Sequence, residues 1–274
     1  MSVKSKSFSN YFRLIIGIVL ISVFYIAVNA AVSVDTSFNA YLSKVGDGEI
    51  FRSAIQPDGK IITGGRYQMV NGKQTSAIVR LNPDGTLDPT FNSNRNSQNL
   101  LVELQSTGKI IVANGEVIGS IARLNADGSL DQVFNNNVSA LGISTVYDFK
   151  VLPDDKIVVA GTRPGSHAIT RLNADGTLDA TFFYGFVIFR LDVQPDGKVV
   201  YFTPNVMRRL NQDLTEDNTF TQLITNNTLY FMKVQPDGKI LISGIFTTLT
   251  GTSSPRTARI NSDGSVDAAF VTNM

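Results

Sequence analysis

Twenty-three carboxylates and one histidine are the groups of this 274-residue chain that could do acid–base chemistry. There is no Cys, so thiol nucleophiles, disulfides and zinc–thiolate sites are excluded. His167 stands in Arg163-Pro-Gly-Ser-His167, without a Gly-x-Ser-x-Gly or comparable setting, and reads as a surface residue. Most carboxylates belong to recurring motifs. Six are the Asp of Asp-x-x-Phe, five are the Asp of Asn-x-Asp, and four are the turn residues Asp58, Asp154, Asp196 and Asp237. Eight remain: Asp47, Glu49, Glu103, Glu116, Asp148, Asp155, Asp192 and Glu216. A carboxylate pair is the machinery of glycoside hydrolysis. Glu103, Asp148 and Asp192 are the candidates, because each falls in the first strand of a repeat.

Other chemistries fare less well. Arg-x-Asn-x-Asp-Gly-x-x-Asp has the outline of a calcium loop, in which Asp fills the first position and supplies hard oxygen ligands. Here Arg80, Arg123, Arg171, Arg209 and Arg259 stand in that place and bring their own cation. The expectation is a hairpin held by an Arg–Asp pair. Gly59 and Gly64-Gly65 lie inside hairpins, not between a strand and a helix, so they do not cradle phosphate. No clustered aromatics mark a sugar-stacking platform. The sequence therefore assigns no catalytic, cofactor-binding or metal-ligating residue, and no cofactor is expected.

The elements that carry these residues are repeats. Gln56-Pro-Asp-Gly-Lys60 recurs at 105–109, 152–156, 194–198 and 235–239. Arg80-Leu-Asn-Pro-Asp-Gly-Thr-Leu-Asp88 recurs at 123–131, 171–179, 209–217 and 259–267. Asp-x-x-Phe occurs six times, at Asp35/Phe38, Asp88/Phe91, Asp131/Phe134, Asp179/Phe182, Asp217/Phe220 and Asp267/Phe270. The period is about 46 residues, so five units fill the chain. Pro-Asp-Gly and Asn-x-Asp-Gly are tight turns with a mechanism: Pro presets φ, Asp bonds the local backbone, and Gly supplies φ > 0. Each unit reads as four short strands without a helical period. The expected fold is all-β, a β-propeller of four-stranded blades, with five blades; an open arc or part of a larger propeller is the alternative.

Residues 1–30 read differently. Lys4, Lys6 and Arg13 precede the uncharged run 14–28, too short for a membrane span of about 20 residues and suited to a signal peptide. Val28-Asn29-Ala30 offers small residues for cleavage after Ala30, with an uncleaved anchor as the alternative. The expected address is secreted or periplasmic, and residues 31–274 form one repeat domain. Beyond residue 30, acids outnumber bases 23 to 21, which excludes a strongly basic nucleic-acid binder.

The combination of Gln-Pro-Asp-Gly-Lys-Ile, Arg-Leu-Asn-x-Asp-Gly-x-Leu-Asp-x-x-Phe and Gly-x-[Phe/Tyr]-x-x-[Val/Leu]-x-Gly resembles the delta-60 repeat family. The last motif is Gly65 to Gly72 and Gly244 to Gly251. The resemblance covers residues 35–270. It implies tandem repeats of bacterial secreted and surface proteins and a β-propeller, without an established activity.

The function expected is a non-enzymatic scaffold that binds a protein or glycan partner through variable loops, the longest being 66–76 and 245–257. A glycan hydrolase or lyase with carboxylates near the axis is the alternative. Four structural expectations follow. The ring closes, with Asp35–Phe38 available to the last unit. The Phe of Asp-x-x-Phe are core anchors. Leu214, where the other units have Gly, avoids positive φ, since that region costs a non-Gly residue roughly 1–2 kcal/mol. Two residues before Gln56 and its counterparts, Ala54, Glu103, Lys150, Asp192 and Lys233 form a girdle of alternating charge around the axis.

Overall fold

The computed structural model describes residues 38, 40, 42–43, 49–93, 100–114, 121–254 and 256–270. The segment 1–30 and Asp35 lie outside the described residues.

Each unit begins with a strand rich in apolar and β-branched residues. The Gln56 N–H donates to Lys60 O at 2.8 Å and the Gly59 N–H to Gln56 O at 2.9 Å, closing the first turn. Asp58 accepts from the Lys60 N–H, and Gly59 takes φ 82°. A second strand returns and a third runs back beside it. The second turn, Asn82 to Thr86, repeats the same bonding with Gly85 at φ 83°. All sheets are antiparallel.

The five units are sheets in chain order. The first holds Glu49–Ile55, Ile61–Arg66 and Ile78–Leu81, the second Leu100–Leu104, Ile110–Asn114 and Ile121–Leu124. The third holds Thr145–Val151, Ile157–Arg163, Ser166–Leu172 and Leu178–Tyr184. The fourth holds Arg190–Val193, Val199–Phe202, Val206–Leu210 and Leu223–Ile224, and the fifth Leu229–Val234, Ile240–Gly244 and Thr257–Ile260. A fourth strand forms in the third unit, with 7 residues, and in the fourth, with 2. In the others it shrinks to one bridge: Leu81 with Leu87, Leu124 with Leu130, Ile260 with Val266. First strands of successive units are neighbours from the first to the fifth.

Four apolar clusters fill the four junctions. Ile62 and Ile78 meet Val102, Ile110 and Leu124; Ile111 and Phe134 meet Phe149 and Ile157; Val158 and Ile169 meet Leu191 and Tyr201; Phe202 and Phe220 meet Ile240 and Phe246. Phe91, Phe134, Phe182 and Phe220 each join the cluster between their own unit and the next. Phe134 and Phe220 are buried and the other two half-buried, so the Asp-x-x-Phe rings are core anchors. Phe38 packs on the opposite side of the first unit, against Tyr67, Val70, Val79 and Leu81.

Three expectations need correction. The second unit ends in a helix, Gln132–Ser139. Asp131 caps it by accepting from the Phe134 N–H, and Phe134 and Val138, one turn apart, bury its inner face. Leu214 adopts φ 65°, the repeat geometry after all. Its side chain is buried among Ile188, Leu191 and Leu210, and burying a Leu is worth roughly 1.5–3 kcal/mol. That exceeds the strain. The loops 66–76 and 245–257 are hairpins, Met69–Val70 with Lys73–Gln74, to which Leu42–Ser43 adds a third strand, and Thr248–Leu249 with Thr252–Ser253. Tyr67, Val70, Phe246 and Leu249 plug them into the core, so the Gly-x-[Phe/Tyr]-x-x-[Val/Leu]-x-Gly motif is an anchored arm with an exposed tip.

Candidate functional site

Two places bring polar residues together repeatedly. The first is the turn end of every unit. Asp88 Oδ2 accepts from Arg80 Nε at 2.8 Å and Lys60 Nζ at 2.8 Å, so the three repeated motifs converge on one ion triad. Asp131 with Arg123 and Lys109, Asp179 with Arg171 and Lys156, Asp217 with Arg209 and Lys198, and Asp267 with Arg259 and Lys239 repeat it. In the first, second, fourth and fifth units the Arg also lies over the following Phe ring, 4.6 Å from the Phe134 centroid and 4.7 Å from that of Phe220. Burial alone would raise the Asp88 carboxyl, but bonds from Lys60, Thr90 and Arg80 hold it well below the usual carboxylate range. Lys198 and Thr219 do the same for Asp217, and Lys239 brings Asp267 to about 2.

The guanidinium has a second task. Arg80 Nη1 donates to Ala126 O at 2.6 Å and Arg209 Nη1 to Ser262 O at 2.5 Å, each in the next unit's second turn. Arg123 and Arg171 reach Ala174 O and Gln212 O in the same way. Gln105 and Gln194 tie their Nε2 to the same turns. The calcium-like outline is thus a cation clamp between units: Asp88 faces Arg and Lys, while Asp84 accepts from Thr86 N–H and hydroxyl.

The second place is the axis, where first strands converge. Of the expected girdle Ala54, Glu103, Lys150, Asp192 and Lys233, two sequence-adjacent pairs meet, Glu103 with Lys150 and Asp192 with Lys233. Glu103 Oε1 accepts from Lys150 at 2.7 Å and Oε2 from the Val151 N–H at 2.7 Å. Asp192 Oδ2 accepts from Lys233 at 3.0 Å and from the Val234 N–H at 2.8 Å. Each acid therefore grips a lysine and a backbone N–H of the following unit. Arg52 was not foreseen. It spans from the first unit to the third, donating to Glu103 at 3.0 Å, Asp148 at 2.6 Å and Phe149 O at 2.9 Å. Burial works against its charge, but Asp148 and Glu103 outweigh that and raise its pKa. The remaining Asp148 oxygen accepts from the Leu191 N–H of the fourth unit at 3.2 Å.

The three candidate catalytic carboxylates are brought together, but both oxygens of each are bonded to cations or N–H groups. They hold units in register. A general acid must instead meet the proton of a substrate within hydrogen-bond reach.

What the sequence reading missed is at the other mouth of the axis. Antiparallel pairing places the start of every first strand, the second-to-third connections and the passages between units at one end, opposite the Gly turns. At this loop end three first strands carry a β-bulge. The pairing skips Phe51, Tyr147 and Tyr230. Gly65, Gly161 and Gly244 stand across from them, where an added Cβ would strike the carbonyls of Glu49, Thr145 and Thr228. A bulge re-aims a side chain, and here it turns an aromatic ring outward. Phe51 and Tyr230 are exposed and Tyr147 is half-buried. Phe189 holds the equivalent place in the fourth unit, exposed, its N–H bonded to Phe202 O. The signal was legible five residues before Gln56 and its counterparts: Phe51, Leu100, Tyr147, Phe189, Tyr230. These rings recur at one position of the repeat, a pattern that the sequence reading did not use.

Six Phe and Tyr are exposed among the described residues: Phe51, Phe183, Phe186, Phe189, Tyr230 and Phe231. All lie at the loop end or in strand residues running up to it. The exposed apolar residues of the turn end, Ile55, Leu130, Val133, Leu178 and Val266, are aliphatic. His167 is half-buried, 5.9 Å from Tyr147 between ring centroids, beside a shallow depression lined by Ser144, Thr162, Arg163 and Ser166.

Comparison with known proteins agrees with this architecture. Residues 56–91, 105–134, 152–182 and 235–270 match the model of a family described as a domain of unknown function (DUF5122) beta-propeller. Each of these four stretches is similar to a repeat of that family. No curated protein sequence matches it. Among solved structures it is similar to virginiamycin B lyase from Staphylococcus aureus, a catalytically inactive variant with quinupristin, at 13% identity and a TM-score of 0.56, over 83% of this chain and 72% of that one. It is also similar to the Pan2 WD40 domain of Neurospora crassa, at 10% identity and a TM-score of 0.56, over 80% of this chain and 64% of that one. At these identities the likeness shows the fold alone.

Proposed function

We propose that this β-propeller domain is a non-enzymatic scaffold of the delta-60 kind, exported from the cytoplasm, that binds a protein or glycan partner at its loop end. One observation carries the reading: the axial carboxylates are spent on joining units, whereas the exposed aromatic rings gather at the end that bears the anchored arms. Export rests on the signal-like segment 14–28, and binding rather than turnover on the bonding of Glu103, Asp148 and Asp192. The test is incubation with a glycan library, following products and binding together. Binding without product, unchanged in kind by Asp192→Asn, supports the scaffold. Product formation that Asp192→Asn abolishes establishes the hydrolase or lyase alternative.

The five units are proposed as five blades, with closure of the ring part of the same proposal. Gln194 reaches the next unit at Ser262 O, at 3.1 Å. In a closed ring Gln235 would stand in the same way beside Pro83. The absence of native Cys makes the test clean. A short thiol crosslinker should join Gln235→Cys and Pro83→Cys within one chain, as it joins the control pair Gln194→Cys and Ser262→Cys. Crosslinks only between chains would mean an open arc.

A further inference from the structure

We infer that the loop-end mouth of the axis is a binding site for an acidic oligosaccharide, whose sugar rings stack on Phe51, Tyr147, Phe189 and Tyr230 and whose carboxylate meets Arg190. The inference deepens the proposed binding function and rests on it. Three observations carry it.

The rings are placed by the backbone. Phe51, Tyr147 and Tyr230 each sit in a bulge opposite a glycine that tolerates no Cβ, in three different units. Bulges and such glycines cost sheet pairing, and their effect is to send an aromatic side chain out of the pleat. Rings presented by four of the five units, on separate strands, suit a ligand that offers a flat apolar face at each residue along its length. A sugar ring does, through its axial C–H groups, and a flat aromatic body with a polar tip matches its mixed surface.

Charge supplies the second observation. At the surface of this end the described residues include Arg66, Lys73, Arg163, Arg190 and Arg256, against the acid Glu49, which Arg66 pairs at 2.5 Å. The opposite end carries an Asp in nine of its ten turns, Gln105-Ser-Thr-Gly-Lys109 being the exception. A mouth of one sign focuses ligands of the other. Arg190 is exposed and borders Phe189, to whose carbonyl its Nη1 donates at 2.8 Å, which leaves the rest of the fork toward solvent. A planar guanidinium recognises a carboxylate through two parallel bonds.

The third observation is the polar supply around the rings. The connections at this end include Thr225-Asn226-Asn227-Thr228 and the 247–254 arm, rich in Thr and Ser, and Asn226 already bonds Thr247 and Thr248. Hydroxyl and amide groups of this kind exchange bonds with sugar hydroxyls.

The test is calorimetric titration of the purified protein with oligogalacturonate, with a neutral cello-oligosaccharide, and with an oligothymidylate of matching length. Oligogalacturonate should bind more tightly than the neutral sugar, and added salt should reduce that preference. Phe51→Ala and Tyr230→Ala should each weaken binding by about three- to tenfold with the melting temperature unchanged, the range expected for a lost aromatic stack. Arg190→Gln should remove the preference for the uronate and spare the neutral sugar. Ile55→Ala, at the far end, should change nothing. Absence of oligogalacturonate binding overturns the inference, as does binding that survives both aromatic variants. Tighter oligothymidylate binding that is lost in Tyr230→Ala would assign the rings to a nucleic acid instead. If Lys73→Ala in the arm abolishes binding while the aromatic variants do not, the scaffold reading stands and only this site falls.

Discussion

The turn end and the loop end of the same five sheets solve different problems. At the turn end, three motifs meet in each unit as Arg, Asp and Lys, and the Arg reaches on into the next unit. Nothing there differs much from unit to unit, because a junction that must be built four times over works with one solution. At the loop end the units diverge: anchored hairpins in the first and fifth, a tight turn at Pro164-Gly165 in the third, bulged aromatics in three of the first strands. Repetition marks the residues that hold the array together. Departure from repetition marks the surface free to do something else.

The largest test of that contrast is Phe134→Ala. The ring is fully buried between the second and third units beneath Arg123, and truncating a buried Phe costs about 3–5 kcal/mol. The melting temperature should fall by roughly 10 °C. A change below about 2 °C would mean that the junction does not depend on its anchor.

Next comes the ion triad. Asp217→Asn leaves Arg209 and Lys198 facing a neutral amide, and breaking a buried pair from one side costs about 3 kcal/mol. The same groups set an acid limit. Carboxyls held low in the folded protein stabilise it fully above their unfolded value near 3.9. They lose that contribution as pH falls toward the folded value, about 2 for Asp267 and lower for Asp88 and Asp217. Thermal melts should therefore be flat from pH 7 to about 5 and fall steeply between about pH 4 and 2. Asp217→Asn should make that fall shallower. A melt profile indifferent to pH in this window would show the triads to be ornamental.

A smaller effect is expected where the turn end departs from its own rule. Leu214→Gly relieves a strain of about 1–2 kcal/mol but removes a buried side chain worth roughly 1.5–3 kcal/mol. The net should be a loss of about 1 kcal/mol. Stabilisation would mean that Leu214 is tolerated and not used. The smallest effect belongs to the loop end: Phe51→Ala should shift stability by less than about 0.5 kcal/mol, as exposed substitutions do. A large loss there would turn the aromatic mouth into one more structural junction and remove the contrast between the ends.

Much of this was legible in the residues. The turn chemistry of Pro-Asp-Gly and Asn-x-Asp-Gly is local, decided within five residues, so strand order inside each unit and the repeat length follow from sequence. The Arg–Asp pair was legible too, because eight residues across a tight hairpin bring two side chains together whatever the rest of the chain does. So was the alternation of Glu103, Lys150, Asp192 and Lys233, once units were aligned on Gln56. The tertiary structure decided the rest. Arg52 meets Asp148 across 96 residues of chain, a contact that exists only because first strands converge on an axis. Leu214 keeps a left-handed backbone because its neighbours in the fourth unit bury it, which local sterics alone argue against. The helix at 132–139 stands where the third unit has a full strand, and it carries Phe134 into the same kind of junction. The aromatic mouth depends on bulges, and a bulge is a property of two paired strands: Phe51 reads as an ordinary strand residue until Gly65 stands opposite it and turns it outward.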